Sequence, residues 1–136
     1  KLPDVRTWVR RNRPNASGGI PVGTVLQGIG GSPGRVRGRV RIVVDPSDPG
    51  DLGTGDVLVA PLTDPAWTPL FVPVEAVVVD VGGQMSHAVI VSRELGLPCV
   101  VAATGATANL PDGALVEVDG SAGTVTVLEA PVRANR

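Results

Sequence analysis

Residues 82 to 98 read GGQMSHAVIVSRELGLP and hold His87, the single histidine of a 136-residue chain. A neutral imidazole keeps one nitrogen lone pair free, so it can act as a nucleophile toward a transferred group. Gly82 and Gly83 come just before it and leave the backbone open to close approach. Ser86 is a favoured helix N-cap, which puts His87 in a first helical turn, where unpaired amides and the positive end of the dipole favour an anion. A lone histidine without such surroundings is ordinarily a surface residue or a satisfied core residue. Here the uptake of a phosphoryl group uses every part of the arrangement, whereas metal binding or proton transfer uses less of it.

Other chemistries fail on spacing. Ser86 and His87 are adjacent, so at a helix start their side chains diverge by about 100° and make a poor nucleophile and base. Cys99, the single cysteine, lies in the apolar run PCVVAA and is expected to be a small core residue. It allows no internal disulfide and no Cys/His metal set. In GIGGSPG, residues 28 to 34, Pro33 stands where a dinucleotide loop needs its third glycine, and no GK[ST] follows for a P-loop. The carboxylates sit at turn positions such as Asp45, Asp48, Asp51 and Asp112, without the spacing of an acid/base pair or a cation site. No metal site is expected.

The elements that must position His87 follow from its flanks. AVVVDV, residues 76 to 81, suits a strand buried on both faces. A helix is expected from near Ser86 to near Leu95, with Gly96 as its left-handed C-terminal cap and Pro98 preventing continuation. CVVAA is the next buried strand, which completes a βαβ unit over residues 76 to 102. Short strands are expected at TVLQGIG, GRVRGRVRIVVD, DVLVAP, ALVEVDG and TVTVLE, the last two joined by Gly120-Ser121-Ala122-Gly123. Arg35, Arg37, Arg39 and Arg41 alternate with Val36, Gly38, Val40 and Ile42 and so share one face, either solvated or turned toward a phosphate or a partner. TDPAWTPLFVPV, with three prolines, leaves room for a short helix only, and GATANL for a single turn. The fold class expected is α/β: a mixed β-sandwich-like core with few short helices, not a doubly wound sheet.

Length fits one domain. Hydrophobic residues at 43% against charged ones at 18% indicate a globular chain. Trp8, Trp67 and Phe71 are its only aromatic residues, too few stacking platforms for a nucleic-acid partner. No apolar run approaches the roughly 18 residues of a membrane span, and no signal peptide opens the chain, so a cytoplasmic protein without a membrane partner is expected. Residues 1 to 44 carry nine basic groups against Asp4 (+8), and residues 45 to 136 carry three against twelve acidic ones (−9), which gives the net −1 and suggests electrostatic polarity or a docking surface. Residues 1–19 form a linker-like segment, 20–130 the domain and 131–136 a tail. The sequence does not begin with methionine, so one domain of a longer chain is expected.

GGQMSHAVIVSRELGLPCVV, continued by the VDGSAGTVTVL close, resembles the phosphohistidine (swivelling, or mobile) domain of PEP-utilising enzymes, within the group of rifampicin phosphotransferases, PEP synthases and pyruvate phosphate dikinases. Gly82, Gly83, Ser86, His87, Arg93, Gly96 and Pro98 fall in register with the family pattern, and GSPGRVRGRVRIV resembles its opening strand pair. The resemblance covers about residues 25 to 129 and implies a swivelling β/β/α phosphohistidine fold. It implies His87 as the nucleophile phosphorylated through Nε2, with Ser86 capping the helix and contacting the phosphoryl group. Gly82 and Gly83 would admit a phosphate to the backbone, and Arg93 would either contact the phosphate or pack and pair with a neighbour. TDPAWTPLF, residues 63 to 71, resembles a loop of the rifampicin type; Thr63, Asp64 and Thr68 either line the site or belong to a Pro-rich loop held by Trp67 and Phe71.

By the same resemblance the domain is a phosphocarrier of a kinase or dikinase type of phosphotransferase and does not turn over alone. Its partners would be an ATP-grasp nucleotide-binding domain and an acceptor-binding domain of the same parent chain, the acceptor being PEP/pyruvate, water or a small molecule such as a rifamycin. ATP and Mg would be held on a partner domain, and no cofactor by this one. The alternative is a non-catalytic binding or scaffolding module with the same fold. A third reading, the similarly built swivelling domain of aconitase-like dehydratases, is opposed by GGQMSHAVIVSREL.

Overall fold

The computed structural model describes residues 21–50 and 52–131; the linker expected over residues 1–19 and nearly all of the tail fall outside the described residues. Branched at Cβ, valine suits a pleated backbone, and its runs build one eight-stranded sheet. The strands are β1 (Val25–Gln27), β2 (Ile29–Ser32), β3 (Arg35–Ile42), β4 (Asp56–Ala60), β5 (Ala76–Val79), β6 (Cys99–Val101), β7 (Leu115–Asp119) and β8 (Thr124–Glu129). Their spatial order is β1-β8-β7-β3-β4-β5-β6-β2. The four strands from β3 to β6 run parallel to their neighbours, and the remaining pairings are antiparallel.

β1 and β2 are separated in sequence by Gly28 alone, yet they stand at opposite ends of that order. The sheet therefore curls until its two ends meet at Gly28, whose N–H donates to the Gly123 carbonyl at 2.7 Å. Rolled this way, it encloses one core of Val40, Val57, Val59, Val78, Val100, Val116, Val118, Val125 and Val127. A second core lies on the other face of β4, β5 and β6, where Leu58, Val77, Val79, Cys99 and Val101 meet Trp67, Phe71, Ala88 and Val89. Burial on both faces explains why these three strands read as continuous apolar runs. The layering is the β/β/α arrangement expected from sequence.

Among the described residues three short α-helices complete it: α1 (Thr68–Phe71), α2 (His87–Leu95) and α3 (Ala106–Asn109). β5, α2 and β6 form the expected βαβ unit, and α2 ends at Gly96 with φ 77°, where a side chain would be strained. The four arginines of β3 do share an outward face. Carboxylates on neighbouring strands match them: Arg35 and Asp119 at 3.2 Å, Arg37 and Glu117 at 3.8 Å, Arg39 and Glu129 at 3.3 Å, Arg41 and Asp56 at 3.3 Å. The basic stripe is thus balanced within the molecule and offers little net charge to a partner.

A candidate phosphoryl-acceptor site at the start of α2

α2 begins where the chain leaves β5 and turns through Gly82 and Gly83. Gly82 has φ 134°, a conformation that favours glycine, and a Cβ there would lie 3.1 Å from Ser86 Oγ. At Gly83 an added Cβ would meet nothing within 4 Å, so the backbone is open on that side. Ser86 is the N-cap residue, in extended backbone, and its carbonyl accepts the first helical bond from Ile90 N at 3.0 Å. Its hydroxyl, however, makes no capping bond and is buried without a partner. The expectation of a side-chain cap is corrected on this point: the hydroxyl lies on the Gly82 side, and no helix amide donates to it. The opening amides of α2 consequently keep no side-chain acceptor.

His87 is half-buried at the first position of α2. Thr63 Oγ1 lies 2.9 Å from its Nδ1, and Thr68 Oγ1 lies 3.2 Å from its Nε2. The Phe71 ring meets the imidazole edge to face, with centroids 5.6 Å apart and planes at 80°. All three contacts come from residues 63–71, between β4 and β5, which the buried Trp67 and Phe71 anchor to the second core. Both sequence alternatives for this segment are therefore met at once: a Pro-rich loop held by Trp67 and Phe71, with Thr63 and Thr68 on the histidine.

Asp64 is placed otherwise. Its carboxylate accepts a hydrogen bond from Ala66 N at 2.9 Å and caps the 3-10 turn Pro65–Trp67, so it shapes the segment instead of facing the imidazole. Arg93 likewise makes no hydrogen bond to His87. Its Nε donates to the Gly31 carbonyl at 2.8 Å and its Nη2 to Gln84 Oε1 at 3.1 Å, while Gln84 Nε2 donates to the Gly30 carbonyl at 2.7 Å. Arg93 thus makes the neighbour contacts that the sequence allowed it. Together with Gln84, a residue that sequence reasoning missed, it ties the glycine loop to β2 at the bulge between Gly30 and Ser32. The signal for Gln84 was weak: a polar side chain inside an otherwise small or apolar loop.

Cys99 is buried, and that burial pushes its thiol up to about 11, against a smaller lowering by the Ser92 hydroxyl. It is a core residue, not a nucleophile. Among the described residues no group of three or more His, Cys, Asp or Glu side chains is placed to hold a metal ion. Nor, among them, is any helix long and apolar enough to cross a membrane.

Residues 52–123 match the family described as PEP-utilising enzyme, mobile domain. The chain belongs to this family. It is 52% identical over 116 residues to an uncharacterised protein of Mycobacterium tuberculosis, covering 85% of the chain and 14% of that relative. It is similar to a phosphoenolpyruvate synthase of Aeropyrum pernix at 44% identity (87% of the chain, 15% of the relative). A rifampicin phosphotransferase of Bacillus subtilis shares 40% identity (79% of the chain, 12% of the relative). The chain thus spans roughly one seventh of these relatives' length. Among solved structures, a solution structure of Enzyme I matches with TM-score 0.50 and 37% identity, over 57% of this chain and 32% of that one. Aconitase X of Thermococcus kodakaraensis matches with TM-score 0.59 over 79% of this chain and 100% of that one, but at 20% identity, a likeness of fold alone.

Proposed function

We propose that this domain is the phosphocarrier of a multidomain phosphotransferase of the kinase or dikinase type. His87 takes a phosphoryl group on Nε2 from ATP or PEP at one site and gives it up at a second, to PEP/pyruvate or to a small molecule such as a rifamycin. The observation that carries this reading is the pairing of the imidazole: Nδ1 is held by the half-buried Thr63, while Nε2 lies on the exposed side beside Thr68. With its proton on Nδ1, donated to Thr63 Oγ1, the ring presents its lone pair at Nε2. Thr63 is then a positioning residue, Gly83 leaves room for phosphoryl oxygens, and the uncapped amides of α2 favour the arriving charge.

The partners in this proposal are an ATP-grasp nucleotide-binding domain, which holds ATP and Mg, and an acceptor-binding domain, both in the same cytoplasmic parent chain. Support comes from the family and from the length of the named relatives. The parent protein, incubated with radiolabelled ATP or PEP, is expected to acquire a phosphate that is labile in acid and stable in base, and His87→Ala is expected to abolish it. Label that persists in His87→Ala, or that never appears in wild type, returns the domain to the non-catalytic binding module.

A further inference from the structure

The hydroxyl of Thr68 stands 3.2 Å from the nitrogen that the proposed chemistry needs. A hydrogen bond to a ring nitrogen runs along that nitrogen's in-plane lone pair or N–H. A phosphorus atom attacked by Nε2 has to approach along the same line, because that lone pair becomes the N–P bond. Thr68 Oγ1 therefore occupies the approach path of the phosphorus. Either tautomer meets the same conflict. With the proton on Nδ1, the Thr68 hydroxyl donates to the Nε2 lone pair and masks it. With the proton on Nε2, that N–H donates to Thr68 and the lone pair is on the other nitrogen.

We infer that Thr68 is a gate on His87: its hydroxyl leaves Nε2 before a phosphoryl group is taken up. This rests on the reading of His87 as phosphoryl acceptor. The surroundings favour movement of one side chain over movement of the whole segment. Thr68 is exposed, whereas Trp67 before it and Phe71 after it are buried and fix the backbone. A threonine in a helix divides between two χ1 rotamers, so a single rotation takes the hydroxyl off the ring. Thr63, half-buried at 2.9 Å, stays on Nδ1. The two threonines thus differ in role: one holds the ring, the other yields.

Phosphoramidate tests the gate without any partner domain. In its zwitterionic form the donor's N–P bond breaks, ammonia leaves as NH3, and the Nε2–P bond forms. Nδ1 keeps its proton on Thr63, and Thr68 keeps its own. Thr68→Val, which removes the hydroxyl and keeps the shape, is expected to label at His87 about three- to tenfold faster than wild type, the scale of one lost hydrogen bond. Its Nε2 nitrogen resonance is expected to move downfield toward that of an unbonded ring nitrogen, a change that mere loosening of the fold would not give. Thr68→Ser is expected to bring back the slow rate. Should the valine variant fail to fold, Thr68→Ala carries the same expectation. Labelling at the wild-type rate or slower in the hydroxyl-free variant overturns the gate and makes Thr68 neutral or assisting. Absence of label on His87 in every form overturns the acceptor reading beneath it.

Discussion

At the scale of single residues, chemistry was legible where one side chain's type decides it. The type of His87 singles it out in sequence as the residue proposed to take up a phosphoryl group, and Gly82 does adopt the positive φ that a tight loop asks for. Arg93 and Asp64 were less legible, because a charged side chain's role depends on which backbone groups lie opposite it. The carbonyl that Arg93 Nε binds is 62 residues away, on a strand that no local pattern links to α2. For Cys99 local pattern was enough: an apolar run predicts burial, and burial raises the thiol to about 11. Sign follows from cause, since burial disfavours the thiolate and leaves the group neutral through the physiological range. Folded protein at pH 8 is therefore expected to resist iodoacetamide at Cys99 and to react once unfolded in urea. Stoichiometric alkylation of the folded protein, measured by mass, would contradict this assignment.

At the scale of elements, periodicity located β3 to β8 and α2 to within three residues, because both faces of β4, β5 and β6 are buried and Gly96 with Pro98 ends the helix sharply. TVLQGIG, expected as one strand, instead divides at Gly28 into β1 and β2, and β2 runs on through Gly30–Ser32, where a turn was expected. The hairpin between β7 and β8 was legible from Gly120-Ser121-Ala122-Gly123, but its fastening was not. Asp119 Oδ1 accepts from Ser121 N and Ala122 N, each at 3.0 Å, and Arg35 pairs with its other oxygen. The Ala122 backbone bond is the leading cause that holds the Asp119 carboxyl below its usual value. A group with a depressed folded-state pKa stabilises fully above its unfolded value, and loses that contribution as pH falls through the folded value. The turn should therefore be intact above about pH 4 and loosen below it. Protection of the Ser121 and Ala122 amides, taken relative to their intrinsic exchange rates, is expected to fall over that acid range, and in Asp119→Asn to become insensitive to it. An unchanged acid dependence in that variant would assign the effect to another carboxylate.

At the scale of the whole molecule, the sequence carries the four alternating arginines of β3 but not the order of strands that sets a carboxylate beside each of them. Apart from Arg41–Asp56, whose carboxylate is buried, the ion pairs between β3 and its neighbours are of the surface kind worth about 0–1 kcal/mol each, so they set polarity more than stability. The closure of the sheet carries more, and it rests on glycines whose purpose no local pattern reveals. Where the β7–β8 hairpin crosses β2, Gly120 and Gly30 face each other: a Cβ on Gly120 would run into the Ser32 carbonyl oxygen, and one on Gly30 into the Gly120 carbonyl oxygen. Gly120 N also donates to the Gly34 carbonyl at 2.7 Å, so the hairpin cannot step back without losing that bond. Gly120 is not among the positive-φ glycines, which means that alanine there is opposed by space and not by backbone conformation. Gly120→Ala is expected to cost about 2–3 kcal/mol or more in urea unfolding, the range for overpacking a tight contact. Gly83→Ala, with nothing near its Cβ, should stay within about 0.5 kcal/mol of wild type and serves as the control. If the two variants unfold at the same midpoint, the ends of the sheet do not meet at this crossing. The clamp from Gln84 and Arg93 would then hold the glycine loop before α2 to a strand that is itself unanchored.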